Sequence, residues 1–319
     1  MTGESVRTVV VVEYSQTGQL DEAVDALVGP LLAAGWQVRH IGIEPIPAFP
    51  LPWPVTRFFG VFPECVDENA TVPITSAGSE LATASNDLVI FAYQVWYLAP
   101  SLPMRSALTR HPELFADREV LTLVACRNMW YSAAAEVQRR LRAIGARQLG
   151  TVAAIDTRPQ ALTLVTTLRW LLLGRRNGAL FGRAGIGDDE LERLGALGAG
   201  LLTTSSAQDV RALLREQTSA PVVPVLAAAD LLAGKAFRGW GAVIRRSSTF
   251  GSGARAASLG AFVGSLGLAI VLGLPSLALA RALGGRRFDR FVEARVAATT
   301  NPENSVDKTE SVVEEGVPS

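Results

Sequence analysis

The chain has 319 residues, enough for one large domain with extensions. Its 30 basic and 30 acidic residues cancel, which argues against nucleic acid as a partner. Hydrophobic residues make up 49% of the chain and charged residues only 19%, and this balance predicts contact with a membrane. There are two cysteines, Cys65 and Cys126, which suit a reducing compartment and predict no disulfide framework. Together with only two histidines, His40 and His111, they predict no metal site.

The N-terminal part of the chain reads as a strand, a loop and a helix. Residues 8–13 are a continuous β-branched run, typical of a strand covered on both faces. Residues 20–34 repeat apolar side chains at helical spacing, and 37–43 predict a second strand. The apolar run at 9–12 is too short for a signal peptide, so we expect this domain in the cytoplasm.

The same cycle repeats further along the chain. Strands are predicted at 87–92, 120–125 and 148–155, and helices at 102–108, 132–144 and 188–202. Five strands that alternate with helices predict an α/β fold, a doubly wound five-stranded parallel sheet. We place this domain at residues 1–205.

Residues 44–72 separate strands two and three and are rich in proline and aromatic side chains. Proline at this density argues against a regular helix or a central strand. The residues concerned are Pro45, Pro47, Pro50, Pro52, Pro54 and Pro63, with Phe49, Trp53, Phe58, Phe59 and Phe62. A lid over a site, a membrane-dipping loop and a loop packed on the side of the domain all stay open.

The C-terminal half contains two strongly apolar segments. Residues 160–173 carry leucines at helical spacing and end in Arg175-Arg176, a pattern typical of an interfacial helix, with core packing as the alternative. Residues 256–280 are 25 consecutive uncharged residues, long enough to span a bilayer. We predict a membrane helix or hairpin at 256–283, on the cytoplasmic face of the cell membrane. A linker and amphipathic helix at 206–255 precede it, and a disordered acidic tail at 301–319 follows.

The loop Ser15-Gln16-Thr17-Gly18-Gln19 lies between the first strand and the first helix. Backbone N–H groups and the helix dipole favour an anion there, and Gly18 lets the backbone approach it closely. The loop carries hydroxyl groups but no lysine, unlike a P-loop. An ordinary strand-to-helix turn is the plain alternative.

This loop resembles the phosphate loop of flavodoxins, with matches at Ser15, Thr17 and Gly18 and with Leu20 in place of the last hydroxyl. The resemblance implies FMN as cofactor, with its ring held by the segments that follow strands three and four. The cofactor-binding residues predicted in this way are Ser15, Gln16, Thr17, Gly18, Gln19, Tyr93, Gln94, Trp96, Tyr97, Leu98, Cys126, Arg127, Asn128, Met129 and Trp130.

Three further stretches sharpen the resemblance. Residues 100–105 are similar to the segment after strand three in NAD(P)H-dependent flavodoxin-like reductases, and 49–64 with 166–174 resemble the bacterial dialkylresorcinol condensing enzymes of resorcinol-lipid biosynthesis. The likeness implies NAD(P)H as electron partner and aromatisation of a cyclic diketone.

We therefore expect a membrane-associated FMN oxidoreductase acting on a hydrophobic, quinone-like or cyclic-ketone substrate. An electron-transfer protein that docks to a membrane partner is the alternative, and a flavin-free scaffold is a third hypothesis. A homo-oligomer also stays open. The sequence assigns no catalytic side chain, which agrees with chemistry carried by a cofactor.

Overall fold

The computed structural model describes residues 7–77 and 87–300 of the chain. The strands are β1 (Thr8–Glu13), β2 (Gln37–Pro45), β3 (Ile74–Ala77), β4 (Leu88–Trp96), β5 (Ala99–Pro100), β6 (Glu119–Cys126) and β7 (Arg147–Ile155). The helices are α1 (Gln19–Ala33), α2 (Val55–Gly60), α3 (Phe62–Cys65), α4 (Leu102–Arg110), α5 (Tyr131–Ile144), α6 (Gln160–Leu173), α7 (Asp188–Leu201), α8 (Ala207–Glu216), α9 (Pro224–Ser247), α10 (Ser252–Leu268) and α11 (Leu274–Thr300).

Five parallel strands form the centre of the sheet in the order β2-β1-β4-β6-β7. This is the order 2-1-3-4-5 of the flavodoxin-like doubly wound fold, so the predicted α/β class and the predicted parallel strands are confirmed. The sheet is larger than predicted, because β3 adds an antiparallel edge to β2 and β5 forms a short antiparallel pair with β4. The insert also contains the short helices α2 and α3, where the prolines predicted no helix.

The side chains of β1 show how the sheet is covered on both faces. Val9 and Val11 pack into a core with Leu27 of α1 and with α7 and α8, whereas Val10 and Val12 pack on the opposite face. That second core includes side chains of α4, α5, α9 and α11. The helices α1 and α7 approach closely because Gly198 has no side chain, since a Cβ there would lie 2.0 Å from the Leu27 carbonyl oxygen.

Residues 206–255 include the helices α8 and α9, and both pack on the sheet. Helix α8 buries Val210 and Leu214 in the core beside β7, and α9 buries Leu226 in the core on the other face. These helices pack because the buried faces of their amphipathic sequences meet sheet side chains that would otherwise be exposed.

The apolar C-terminal segment lies along α9 and returns to the domain. Helix α10 continues through a π-helical turn, Ala269–Gly273, into α11, and that turn accommodates Pro275, which cannot donate a main-chain hydrogen bond. The helix breaks at Gly285, whose φ of 49° is left-handed. Beyond the break, Val292 and Val296 are buried in the main core. By length and composition Ser252–Ala297 is sufficient to cross a membrane. The acidic tail predicted at 301–319 lies outside the described residues.

Candidate functional site

The loop predicted to bind phosphate lies at the carboxyl end of β1, between that strand and α1. From β1 the chain first builds the sheet outward through β2 and then returns to add β4 on the other side of β1. The topological switch point, where doubly wound folds bind ligands, therefore lies between β1 and β4. Gly18 has a φ of 80°, and apart from its chain neighbours no atom of the described residues lies within 4 Å of where its Cβ would stand. The main-chain N–H of Gln19 donates to the Thr17 hydroxyl oxygen at 3.5 Å. Among residues 7–77 and 87–300, the buried Ser15 Oγ and Gln19 Nε2 have no hydrogen-bond partner.

Charged groups surround this loop. Burial, and secondarily Glu13, raises the pKa of Asp21 in the first turn of α1, while the nearby Ser15 hydroxyl lowers it without reaching standard hydrogen-bond geometry. The pKa of Glu22 is lowered, chiefly by its hydrogen bond with Arg176 and also by Arg183. Residues 15–19 themselves carry no charged side chain. Ion pairs flank them on both sides, Glu13 with His40 before the loop and Glu22 with Arg176 and Arg183 after it.

Gln16 joins the loop to two other parts of the molecule. Its main-chain N–H donates to Gln94 Oε1 at the end of β4, at 3.3 Å. Its side-chain amide donates to the Pro50 carbonyl oxygen of the insert, at 2.9 Å. The structure thus brings together the first loop, the second predicted segment and the proline-rich insert.

Trp96 is the centre of an aromatic cluster that covers the second segment. Its ring centroid lies 4.9 Å from Phe49, 5.8 Å from Trp53 and 6.1 Å from Tyr14. Trp53 is itself buried, and its main-chain N–H donates to the Leu171 carbonyl oxygen at 2.7 Å. The insert therefore packs against the candidate site and against α6, on the surface of the domain.

Tyr97 and Leu98 form the turn between β4 and β5, and both have left-handed backbones, with φ of 52° and 64°. Such a two-residue turn usually has the sequence Asn-Gly. The left-handed backbone at Tyr97 and Leu98 is therefore strained by about 1–2 kcal/mol per residue. The Tyr97 hydroxyl donates to the Phe58 carbonyl oxygen at 2.5 Å, and its ring lies 5.1 Å from Phe62. The insert therefore holds this turn in place.

The third segment, after β6, meets the inner face of α6. The Arg127 guanidinium and the Asn128 amide both donate to the Thr163 hydroxyl oxygen, each at 3.4 Å. Desolvation lowers the pKa of Arg127. Asn128 is buried, and its Oδ1 has no hydrogen-bond partner within the part of the chain that the structure describes. Met129 is partly exposed. Thr163 was missed at the sequence level, since a threonine in an apolar helix carries no signal of its own.

Two predicted site residues, Tyr93 and Trp130, instead face the protein interior, and Cys126 is partly buried against the same core. Strand β4 extends to Trp96 instead of ending at residue 92, because it pairs with β6 as far as Gln94 and then with β5. Tyr93 is therefore a strand residue buried in the core beside Phe91. Trp130 is fully buried and stacks on Tyr131, with centroids 4.5 Å apart. Burial raises the pKa values of Tyr93 and of the Cys126 thiol, which keeps both groups protonated.

Asp230 of α9 fixes the end of the third segment, although it was not among the predicted residues. It is fully buried, and its carboxylate accepts from the main-chain N–H groups of Ser132 at 2.8 Å and Tyr131 at 3.2 Å. These are the first amides of α5, which have no partner within the helix. Desolvation raises the pKa of Asp230 to about 6, against the opposing effect of these hydrogen bonds. A single carboxylate inside the apolar run of α9 was the available signal.

The donor set suits a phosphate monoester at the first loop. The open space above Gly18, the unpartnered Ser15 hydroxyl and the N-terminus of the 15-residue helix α1 converge there. The unpartnered Asn128 carbonyl oxygen suits an N–H group of a planar heterocycle. The residues present therefore fit FMN.

Among known proteins, no family model and no curated protein matches this chain. Solved structures do show similarity. A Lactobacillus acidophilus flavoprotein in complex with FMN is 12% identical and covers 47% of this chain and 93% of its own, with a TM-score of 0.38. A flavodoxin from the domain Archaea is 13% identical, with 65% and 98% covered and a TM-score of 0.34. A Fusobacterium nucleatum flavodoxin bound to flavin mononucleotide is 9% identical, with 61% and 94% covered and a TM-score of 0.33. The flavodoxin-like description of this chain stands on its strand order.

Proposed function

We propose that this protein binds FMN at the carboxyl ends of its parallel strands and acts as a membrane-associated, NAD(P)H-linked oxidoreductase on a hydrophobic cyclic ketone or quinone-like substrate. The observation that carries the proposal is the buried, unpartnered Ser15 hydroxyl beside the open Gly18 backbone, at the switch point of the sheet. FMN, when bound, supplies hydride transfer, so the protein needs to bind, orient and exclude water.

Each segment of the site has a proposed role. Residues 15–19 hold the phosphate through main-chain N–H and hydroxyl donors. Residues 96–98 and 127–129 would hold the ring, and the side-chain amides of Gln94 and Asn128 would bond its polar edge. Tyr93 and Trp130 support these segments from the core side, and Cys126 packs partly buried against the same core.

The aromatic side chains of the insert are the argument for a planar, hydrophobic substrate. Phe49 and Trp53 pack against Trp96 and exclude water from this side of the site. The resemblance of residues 49–64 and 166–174 to dialkylresorcinol condensing enzymes supports a dialkyl-cyclohexanedione, whose aromatisation removes one hydride and one proton from the ring.

A pair of glycine variants tests the phosphate site. Gly18 and Gly35 both have left-handed backbones, with φ of 80° and 86°, and both have open space around the Cβ position. Alanine at either position therefore costs a similar strain, about 1 kcal/mol, but only Gly18→Ala places a methyl group at the phosphate. We expect Gly18→Ala to weaken FMN binding by about tenfold or more, about 1.4 kcal/mol, and Gly35→Ala to bind as the wild type does.

The binding measurement is a flavin fluorescence titration of apoprotein, with thermal unfolding to confirm the equal strain. Equal FMN affinity of the two variants contradicts the proposed phosphate site. An unaltered protein that binds no FMN contradicts the proposed cofactor.

Turnover separates the enzyme from an electron-transfer protein. We expect anaerobic NAD(P)H oxidation with a soluble quinone, or nicotinamide reduction with a cyclohexanedione, in two-electron stoichiometry. Stable accumulation of the one-electron flavin semiquinone without either turnover favours the electron-transfer role.

A further inference from the structure

Two of the three buried positions of helix α6 are polar, whereas all of its exposed positions are apolar. Its buried residues are Thr163, Thr166 and Trp170, and two of these three are polar. Its exposed residues, Ala161, Val165 and Leu173, are all apolar. A helix that faces water shows the reverse distribution, so the outer face of α6 fits an apolar medium.

The loop after α6 extends this apolar face and is firmly braced. Leu180 is 81% exposed, and Phe181 beside it is also exposed. The Arg169 guanidinium of α6 donates to the carbonyl oxygens of Gly182 at 2.7 Å, Arg176 at 2.8 Å and Arg175 at 3.1 Å. Three charge-assisted hydrogen bonds thus hold a loop whose tip consists of apolar side chains in solvent.

The proline-rich insert lies next to α6 and adds further exposed apolar side chains. The Trp53 N–H donates to the Leu171 carbonyl oxygen, and the Pro52 ring packs against Gly174. Leu51 and Val55, on either side of this contact, are exposed. We call the combined set the mouth surface, because Trp53 of the same insert also contacts Trp96 in the candidate site. It comprises Leu51, Val55, Val165, Leu173, Leu180 and Phe181.

The charge of this region indicates what covers it. Residues 157–187 contain five arginines and no aspartate or glutamate. Arg158, Arg176 and Arg183 pair with carboxylates, whereas Arg169 bonds main-chain carbonyl groups and Arg175 is exposed beside Leu173. Exposed apolar side chains next to unneutralised arginine match the acyl and anionic headgroup layers of a bilayer surface.

We infer that the mouth surface docks on an anionic lipid bilayer, so that the candidate site opens toward the membrane at α6 and the insert. Docking there is separate from the contact offered by the C-terminal helix. The functional consequence of this docking is delivery of an apolar substrate from the bilayer to the site, and that consequence rests on the proposed function.

The test compares four forms of the full chain in vesicle flotation, with phosphatidylglycerol–phosphatidylcholine and with phosphatidylcholine alone. Leu180→Glu alters the mouth surface. Leu268→Glu places the same charge on the exposed face of α10, and Leu32→Glu places it on α1, where Leu32 is 52% exposed. We expect the mouth variant to lower partitioning to anionic vesicles by about tenfold or more, and Leu32→Glu to leave it within about twofold.

Three outcomes overturn the inference. The first is a mouth variant that binds anionic vesicles as the unaltered chain does, whether or not Leu268→Glu abolishes binding. The second is equal binding of the unaltered chain to neutral and anionic vesicles. The third is a dimer in sedimentation that the mouth variant dissociates, which assigns the surface to a second copy of the chain. FMN content is measured in every form. An unaltered chain that binds flavin but no vesicles contradicts this inference alone. One that binds vesicles but no flavin contradicts the proposed function alone.

Discussion

Helix α6 and the helix pair α10–α11 both expose leucine and valine side chains, but they are attached to the domain by different chemistry. Helix α6 contacts the candidate site through hydroxyl groups, with Thr163 bonded by Arg127 and Asn128. Helices α10 and α11 are attached by aromatic and aliphatic side chains, including Phe262 and Val296.

The difference separates two roles for apolar surface in one molecule. Hydroxyl contacts contribute little net stability but fix the directions of neighbouring groups, so changes in α6 are expected to alter the site. Buried aromatic rings contribute mainly through burial and packing, so changes in the C-terminal helices are expected to alter stability. Asp230 lies between these cases, because it belongs to α9 and caps the helix that follows the third segment of the site.

The largest expected effect is on stability, from Phe262→Ala. The Phe262 ring is 1% exposed and stacks on Phe62 at 3.8 Å, so its truncation leaves a cavity and costs about 3–5 kcal/mol. Val263, the next residue, is 36% exposed, and Val263→Ala is the matched control with an expected change below about 0.5 kcal/mol. Urea unfolding measures both, and similar losses would show that α10 is not docked through Phe262.

An intermediate effect is expected from Asp230→Asn and depends on pH. The folded-state pKa of Asp230, about 6, lies above the usual 3.8, so the folded protein binds this proton more tightly than the unfolded chain. The resulting stabilisation is present in full below pH 3.8 and is lost as the pH rises to about 6. The loss is at most about 3 kcal/mol. The asparagine variant does not titrate and lacks this dependence.

The measurement is the free energy of unfolding of both proteins across this pH range. Parallel pH profiles would contradict the raised pKa of Asp230. FMN affinity measured at neutral pH tests the cap itself, since a loosened α5 terminus weakens the hold on the third segment.

The smallest effect on stability is expected from Thr163→Val, which removes the hydroxyl group that Arg127 and Asn128 bond. We expect a loss of about 1 kcal/mol in stability together with weakened FMN binding. Thr204→Val is the control, because the Thr204 hydroxyl is also buried and, among the described residues, bonds only the Leu201 carbonyl oxygen near the end of α7. Unfolding and flavin titration are run on both, and weakened FMN binding in both variants would remove α6 from the site.

The sequence was sufficient for the parts of the molecule that depend on neighbouring residues. The run of valines in β1 was recognised as a doubly covered strand because its side chains alternate between two apolar layers. The loop 15–19 was found because strand, loop and helix are contiguous, so its position relative to the helix N-terminus follows from chain order.

Only the tertiary structure decided the features that depend on residues distant in the chain. Strand β4 reaches Trp96 because β5 and β6 offer it hydrogen-bonding partners, and this pairing puts Tyr93 inside the core. The insert covers Trp96 through contacts that span more than forty residues. Asp230 caps α5 from almost one hundred residues away. Local patterns carry no record of such pairings, because the energy that selects them arises only when the chain is compact.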